Sequence, residues 1–289
     1  MISDAMVEAY RRDGVITVPG LLDKDTLATA RGVLAELVER AASIAEHTDI
    51  YDLEPGHTQD QPRVRRIKTP HKLHPVFDRI VRAPAVMEIL TKLIGPGLRL
   101  HGSKINLKSA QYGSPVEWHQ DWAFYPHTND DLLAIGVLLD DCDLDNGPML
   151  VVPGSHQGQE VWNHHDEEGC FAGLVDPDLI RAEIARAAPC TGTAGSMSFH
   201  HVRALHGSAA NISNRPRNLL LYEVAASDAW PLMGVKDLAE FDSRLLAGPS
   251  MIAPRLADVP VRMPLPPARR QGSIYENQAG SKKSYFARA

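Results

Sequence analysis

One short run constrains this chain more than any other: Val116-Glu117-Trp118-His119-Gln120-Asp121, in which apolar and polar positions alternate. Alternation with period two marks a strand, and in a strand residues 119 and 121 project to the same face. An imidazole and a carboxylate held side by side reach one ion, which is the physical reason for a single-residue spacer. The pattern His-x-Asp is nevertheless cheap. With 13 histidines it occurs at His47-Thr48-Asp49 and His164-His165-Asp166 as well, so local structure has to separate the copies. His47 ends the stretch Asp23 to Glu46, where Leu27, Ala30, Leu34, Leu37, Val38 and Ala41 recur at spacings of three and four. That is an amphipathic helix, and His47 and Asp49 read as its polar fringe. His164 lies between Val161-Trp162-Asn163 and Glu167-Glu168-Gly169, a charged run that reads as a surface loop. Only His119 follows a strand.

His200, His201 and His206 are the candidates for a third donor. His206 sits in Ala204-Leu205-His206-Gly207-Ser208-Ala209, where an extended backbone puts Ser208 on its face. Arg217 opens the strongest β-run of the C-terminal half, Leu219 to Val224, and Pro216 before it marks a strand entry. The polar turn Asn211 to Arg215 joins these two strands, so they pair antiparallel and bring Arg217 towards the metal face. Arg215, beside the turn, reads as the surface arginine. Two imidazoles and one carboxylate leave open positions on a metal, as in non-haem iron(II) oxygenases; zinc also accepts such a set. A basic residue at a fixed distance anchors the far carboxylate of a dicarboxylate such as 2-oxoglutarate.

The stretches Trp118 to Pro126 and Asp145 to His156, then His206-Gly207-Ser208 with Asn211 and Arg217, resemble the phytanoyl-CoA dioxygenase family, which includes ectoine hydroxylase. The resemblance runs from Asp13-Gly14 to the Leu219–Val224 strand. It implies a mainly β fold with flanking helices around a double-stranded β-helix (jelly-roll) core, with iron(II), 2-oxoglutarate and O2. By the same resemblance the catalytic metal ligands are His119, Asp121 and His206, and the distal carboxylate of 2-oxoglutarate meets Arg217 and Ser208. Asn106, in Gly102 to Asn106, matches an asparagine of ectoine hydroxylase that contacts 2-oxoglutarate. Lys104 stands where that enzyme has an arginine near its substrate.

Trp122, Phe124, Tyr125 and His127 follow the ligand pair and are expected to wall a substrate cavity, since pockets are mostly apolar with a few directed polar groups. Trp230 is a more distant addition. The reaction implied is hydroxylation of an unactivated C–H bond of a small carboxylate-bearing or natural-product molecule, with release of succinate and CO2. The same site would also serve desaturation, ring closure or epimerisation. Related halogenases have a small residue where this chain has Asp121, so the carboxylate speaks against halogenation. A non-catalytic metal-binding jelly roll would use the same ligands but would leave Arg217 and Ser208 without a task.

At 289 residues, with 44% hydrophobic and 23% charged positions, the chain has the composition of a soluble globular protein. We expect one domain over 1–289: helices to about 95, a jelly-roll core from about 96 to 226, and a C-terminal helix and tail from 227. A formal net charge of −6 argues against an extended nucleic-acid surface. The basic runs Arg63 to Lys68 and Arg269-Arg270 read as solvated strand faces or loops, with contact to an anionic substrate as the alternative. Cys142, Cys170 and Cys190 show no CxxC spacing and read as reduced thiols of a cytoplasmic protein. The N-terminus carries no signal-peptide pattern, and no apolar run approaches the roughly 20 residues of a membrane helix. A small-molecule substrate is expected, with no nucleic-acid or membrane partner and a monomeric or homodimeric state.

Capping and periodicity predict helices from Ser3 to about Arg12, from Asp23 to about Glu46, from Pro84 through Leu93, from Asp176 to Ala187 and from about Val235 to Leu246. Strands are expected at 15–18, 98–109, 115–120, 132–139, 149–152, 196–199, 204–209 and 217–225. Residues 51–62 read as a polar loop, and the last segment as a Pro-rich tail.

Overall fold

Along the two longest strands, one face is apolar and the other more polar, and this decides how the molecule is layered. The computed structural model describes residues 2–111, 113–158, 161–279 and 281–286. Helix α1 (Asp4–Asp13) begins where the Ser3 side chain accepts the Met6 N–H and stops at Gly14, whose φ of 73° is left-handed. Strand β1 (Val15–Val18) follows. Helix α2 (Lys24–Arg40) is capped by Asp23 and buries Leu27, Ala30, Leu34 and Leu37. It ends short of Glu46, tightening into a 3₁₀ turn at Ala41–Ser43 before Ile44 becomes extended.

The expected loop at 51–62 begins instead as a buried strand, β2 (Tyr51–Leu53). The Tyr51 hydroxyl donates to Leu37 O at 2.9 Å, and Asp52 pairs with Lys68 at 2.8 Å. The basic run 63–68 is not solvated either: it forms β3 (Val64–Lys68), with Arg65 and Arg66 buried. Three short helices follow, α3 (Pro70–Leu73), α4 (Pro75–Val81) and α5 (Pro84–Ile94), each with proline in its first turn.

The remaining strands are β4 (Leu98–Lys108), β5 (Val116–His119), β6 (Leu132–Leu138), β7 (Met149–Val151), β8 (Ala188–Cys190), β9 (Met197–His201), β10 (His206–Ser208), β11 (Arg217–Ala226) and β12 (Leu245–Ala247). The helix expected over Asp176 to Ala187 reduces to a 3₁₀ turn at Pro177–Leu179 and one turn, α6 (Arg181–Ile184). Ile180 between them is fully buried with φ −124°, so its burial draws the backbone out of the helical path. The later helix is likewise short, α7 (Leu238–Ser243), because residues 245–247 pair with β4. In the tail the capping box of Ser273 and Glu276 opens α8 (Ile274–Gln278).

Two antiparallel sheets make the jelly roll. The larger runs β1-β9-β6-β11-β4-β3-β2, with β12 also on β4; the smaller runs β5-β10-β7-β8, so the strands of His206 and Arg217, expected to pair with each other, lie in different sheets. The first 95 residues thus supply three strands of the larger sheet as well as helices. In β11, Leu220, Tyr222 and Val224 join the core against α1, α2, α4 and α5, and the Tyr222 hydroxyl donates to Phe77 O at 2.5 Å. The alternate residues Arg217, Leu219, Leu221 and Glu223 face the opposite way and line a cavity, with Gly102, Lys104, Asn106 and Lys108 of β4 beside them. Period-two alternation therefore gives one sheet an oily face for the helices and a polar one for chemistry.

The tail is tied to β5. Glu117 accepts hydrogen bonds from the Ser284 hydroxyl at 2.6 Å and from the N–H groups of Tyr285 and Phe286, while Phe286 stacks on Trp118 with ring centres 5.5 Å apart. The Gln278 side chain accepts the Glu117 N–H and donates to Gly173 O. Among the described residues no helix is long and apolar enough to cross a membrane, and the three cysteines are free thiols.

Candidate metal centre

Strands β5 and β10 pair so that His119 and His206 stand directly opposite each other, with ring centres 4.1 Å apart. β5 ends at His119, Gln120 stays extended (φ −116°, ψ 133°), and Asp121 opens a 3₁₀ turn. One extended residue is enough to return the carboxylate to the imidazole's face. One donor atom from each of His119, Asp121 and His206 then lies within 4.8 Å of the others, and all three residues are buried.

The imidazoles are fixed for coordination. His119 Nδ1–H donates to Glu117 O at 2.7 Å and His206 Nδ1–H to Ala204 O at 2.9 Å. A carbonyl oxygen only accepts, so the proton sits on Nδ1 and the Nε2 lone pair of each ring is left for a metal. Burial, reinforced by the facing His206, holds His119 well below the usual imidazole range; burial and His200 push His206 down to about 4. For Asp121 burial works in the opposite direction and is outweighed. The facing His200 and the neighbouring His206, Lys104 and His119 hold its carboxyl well below the usual range. Two neutral imidazoles and one ionised carboxylate form a donor set that fits a divalent first-row metal.

Of the three histidines weighed for the third donor, His206 is the one that joins His119 and Asp121. His200 lies nearby, lining the cavity with Nε2 3.6 Å from Asp121 Oδ2. That is long for a hydrogen bond, and among the described residues neither of its ring nitrogens has a hydrogen-bond partner. His201 turns to the other side of the strand, where its Nδ1 accepts the Arg203 N–H. Among the described residues the rival His-x-Asp runs join no such donor set. His47 accepts the Leu53 N–H at the end of its loop. His164, expected on a surface loop, is buried with Nε2 accepting the N–H of Gln120 at 3.0 Å. The neighbouring glutamates remain outside while the imidazole turns in.

The same cavity, of about 350 Å³, collects Arg217, Ser208 and Asn106. Arg217 is buried and donates to Gly147 O at 2.5 Å. Ser208 accepts from Lys108 Nζ at 2.9 Å, and Asn106 accepts from Arg66 Nε at 3.0 Å. Arg215 is the surface arginine, paired with Asp143 and Asp145 at 2.5 and 3.0 Å. Lys108 and Arg66 extend the set that sequence reasoning named. Period two from Lys104 through Asn106 points to Lys108. Arg66 was hidden in a run that looked solvated. Among the described residues no carboxylate pairs with Arg66, Lys108 or Arg217 within 4.0 Å, and burial depresses the Lys108 ammonium well below its ordinary value. This end of the cavity gathers basic side chains that have no carboxylate partner among the described residues.

At the other end Lys104 pairs with Glu223 at 2.6 Å. Gly102 makes room for that pair: a Cβ there would lie 2.6 Å from Glu223 Oε2. Tyr125 lines the cavity and packs on His101 at 4.6 Å, and Phe124 stands edge-on to His119 at 5.7 Å. Trp122 and His127 do not line it. The 3₁₀ turn after His119 swings Trp122 into a cluster with Leu132, Val202 and Ala225, its Nε1 donating to Pro260 O at 3.0 Å. His127 sits behind His101, its Nδ1 bonded to Tyr125 O. Trp230 packs on Phe241, also away from the cavity. His101, Glu223 and Tyr275 are lining residues that sequence reasoning missed; period two from Arg217 reaches Glu223.

Residues 10–219 match the family profile described as "Phytanoyl-CoA dioxygenase (PhyH)". A Stutzerimonas stutzeri protein named "Probable alpha-ketoglutarate-dependent hypophosphite dioxygenase" is 37% identical over 285 residues, 96% of this chain and 97% of that one. An ectoine dioxygenase of Bordetella bronchiseptica is 29% identical over 231 residues, 75% of this chain and 73% of its own. Among solved structures, EctD from S. alaskensis with 2-oxoglutarate and 5-hydroxyectoine superposes with a TM-score of 0.69 at 23% identity, covering 92% of this chain and 88% of that one.

Proposed function

This chain belongs to the phytanoyl-CoA dioxygenase family, and we propose that it serves there as an iron(II)- and 2-oxoglutarate-dependent dioxygenase that oxidises a small, charged molecule. The observation that carries this reading is a single cavity with three parts: the His119, Asp121 and His206 donors, an end of unpaired buried cations, and an end holding the Lys104–Glu223 pair. Bound iron(II), with 2-oxoglutarate and O2, supplies oxidative decarboxylation to succinate and CO2 coupled to a two-electron oxidation of the substrate.

The residues divide the remaining work. His119, Asp121 and His206 would hold the metal, with Nδ1 of each ring tied to a backbone carbonyl so that Nε2 keeps its aim. Arg217, Ser208 and Asn106 would hold 2-oxoglutarate. Among the described residues the buried Arg217 guanidinium bonds a carbonyl and pairs with no carboxylate, so it lacks the charged partner that 2-oxoglutarate would provide. Phe124 and Tyr125 shield the metal side from water, and shielding strengthens every electrostatic contact within.

Lys104 and Glu223 would select the substrate. A cavity of about 350 Å³ that also takes the co-substrate leaves room for a small molecule, and a partly buried ion pair offers it both signs of charge. Relatives named for hypophosphite and for ectoine support a small polar substrate over a long acyl chain. The test is succinate release by the iron-loaded protein over a panel of small oxyanions, amino acids and cyclic zwitterions, with fatty acyl esters as controls. Release coupled to one of the first three, and a KM for it raised about tenfold or more by Lys104→Met or Glu223→Gln, is the expected result. Coupled turnover of acyl esters alone would overturn the substrate class. Iron binding without 2-oxoglutarate binding would overturn the enzyme reading.

A further inference from the structure

Besides the two ring nitrogens of His200 at the metal side, three buried polar atoms on residues of this cavity have no partner among the described residues: Arg66 Nη2, Arg217 Nε and the Tyr275 hydroxyl. Buried polar groups are nearly always satisfied, so a cluster of orphans around one cavity marks where a bound group supplies the missing bonds. Arg66 and Arg217 come from β3 and β11 of the larger sheet. Tyr275 comes from α8, well past residue 219 where the family match ends.

The tyrosine is held firmly. Its ring lies 4.5 Å from the Arg65 guanidinium and 5.1 Å from that of Arg66. The next residue, Glu276, pairs with Arg65 and closes the capping box with Ser273. Gln278 fixes the end of the helix between Glu117 and Gly173. Burial raises the phenol above its ordinary value, against the lowering charges of Arg66 and Arg217, so the hydroxyl keeps its proton and faces this cationic site as a donor.

We infer that Tyr275 is a co-substrate-binding residue whose hydroxyl donates to the distal carboxylate of 2-oxoglutarate, beside Arg217, Arg66 and Ser208. The inference rests on the reading of the cavity given above. A carboxylate presents about four lone-pair sites; Arg66 Nη2, Arg217 Nε, the Ser208 hydroxyl and the Tyr275 hydroxyl match that number. The Ser208 proton is free for this purpose because its oxygen already accepts from Lys108. The tail thus completes a subsite whose other members lie on the jelly roll.

Binding of 2-oxoglutarate and of 2-oxobutyrate, which lacks the distal carboxylate, to the anaerobic iron-loaded protein separates the outcomes. Tyr275→Phe keeps the ring over the arginines and should weaken 2-oxoglutarate about fivefold to tenfold while leaving 2-oxobutyrate unchanged. Unchanged 2-oxoglutarate binding, or an equal loss for both acids, overturns the role of the hydroxyl. Arg217→Leu is the reference. If it abolishes the preference for 2-oxoglutarate while Tyr275→Phe does not, only the tyrosine is wrong. If neither protein variant changes the preference, or the unaltered protein has none, the subsite itself is misplaced.

Discussion

His164 Nε2 accepts the backbone N–H of Gln120, the residue that separates His119 from Asp121, at 3.0 Å. Its own Nδ1–H is bonded to Trp162 O at 2.8 Å, which fixes the tautomer and makes Nε2 an acceptor. Gln120 is held a second time by its side chain, which donates to Arg203 O at 2.5 Å. One His-x-Asp run therefore braces another. The spacer that sets the angle between the two donors is clamped by a loop more than 40 residues downstream.

Replacing His164 by Ala leaves a buried amide without its acceptor. We predict a loss of about 1–3 kcal/mol in folding stability and a fall in iron(II) affinity of about tenfold to a hundredfold, the usual effect of removing a support behind a ligand. Anaerobic iron titration alongside urea unfolding measures both. Reduced stability with unchanged iron affinity would make the imidazole a structural brace only.

Substituting the donors themselves should be more severe. His119→Ala or Asp121→Ala is expected to abolish stoichiometric iron(II) while leaving the folded circular dichroism intact. The double variant His47→Ala with Asp49→Ala should keep full iron, since His47 is half exposed and faces Glu276 at 3.6 Å. Metal analysis giving the reverse order would move the centre.

Arg217→Leu removes a charge-assisted partner from a buried carboxylate, a bond worth about 1.5–3 kcal/mol. The affinity for 2-oxoglutarate should fall by roughly tenfold to a hundredfold. Arg217→Lys should recover part of this, because lysine lacks the planar fork. Arg215→Leu should do nothing, since Arg215 lies at the surface on two aspartates. Titrating the absorption of the anaerobic iron complex reads all three; a large Arg215 effect with none at Arg217 would exchange their roles.

Stability should fall in mild acid. Burial pushes His164 down to about 4 and His127 and His201 to about 3, against about 6.5 in an unfolded chain. Between those values the unfolded chain binds protons that the folded one refuses, so lowering the pH favours unfolding. The contribution is complete above about pH 6.5 and is lost progressively towards pH 3–4. The urea midpoint of the metal-free protein should therefore drop across this window, less steeply in His164→Ala. A flat midpoint from pH 7 to about 4 would contradict it.

Much of the site is legible along the chain because strands write their faces as period two. His119 and Asp121, and the polar positions of β4, could be read in this way. The pattern fails where the strand stops: Trp122 and His127 follow the ligands closely, but the 3₁₀ turn after Gln120 sends them elsewhere. It also fails where burial depends on distant partners. Arg65 and Arg66 look solvated until Tyr275 and Glu276, about 210 positions away, are packed against them. His164 looks exposed among glutamates because nothing local reveals that Gln120 needs an acceptor.

Strand β5 is an outer strand of its sheet, bonded to β10 on one side. Its other flank is where Gln278 and residues 284–286 attach. Uncovered strand edges recruit strands from other molecules, and natural sheets avoid this by laying a helix or loop across them. The strand that carries His119 is thus a point of aggregation risk, shielded by a segment made 161 and more residues later. At ribosomal speed that interval is roughly ten to thirty seconds. A chain ending before residue 272 should form oligomers, seen by light scattering, as well as lose iron; a monodisperse one would show that the edge is guarded by other means. On this prediction, the bonds to Glu117 that hold the tail serve solubility as well as metal loading.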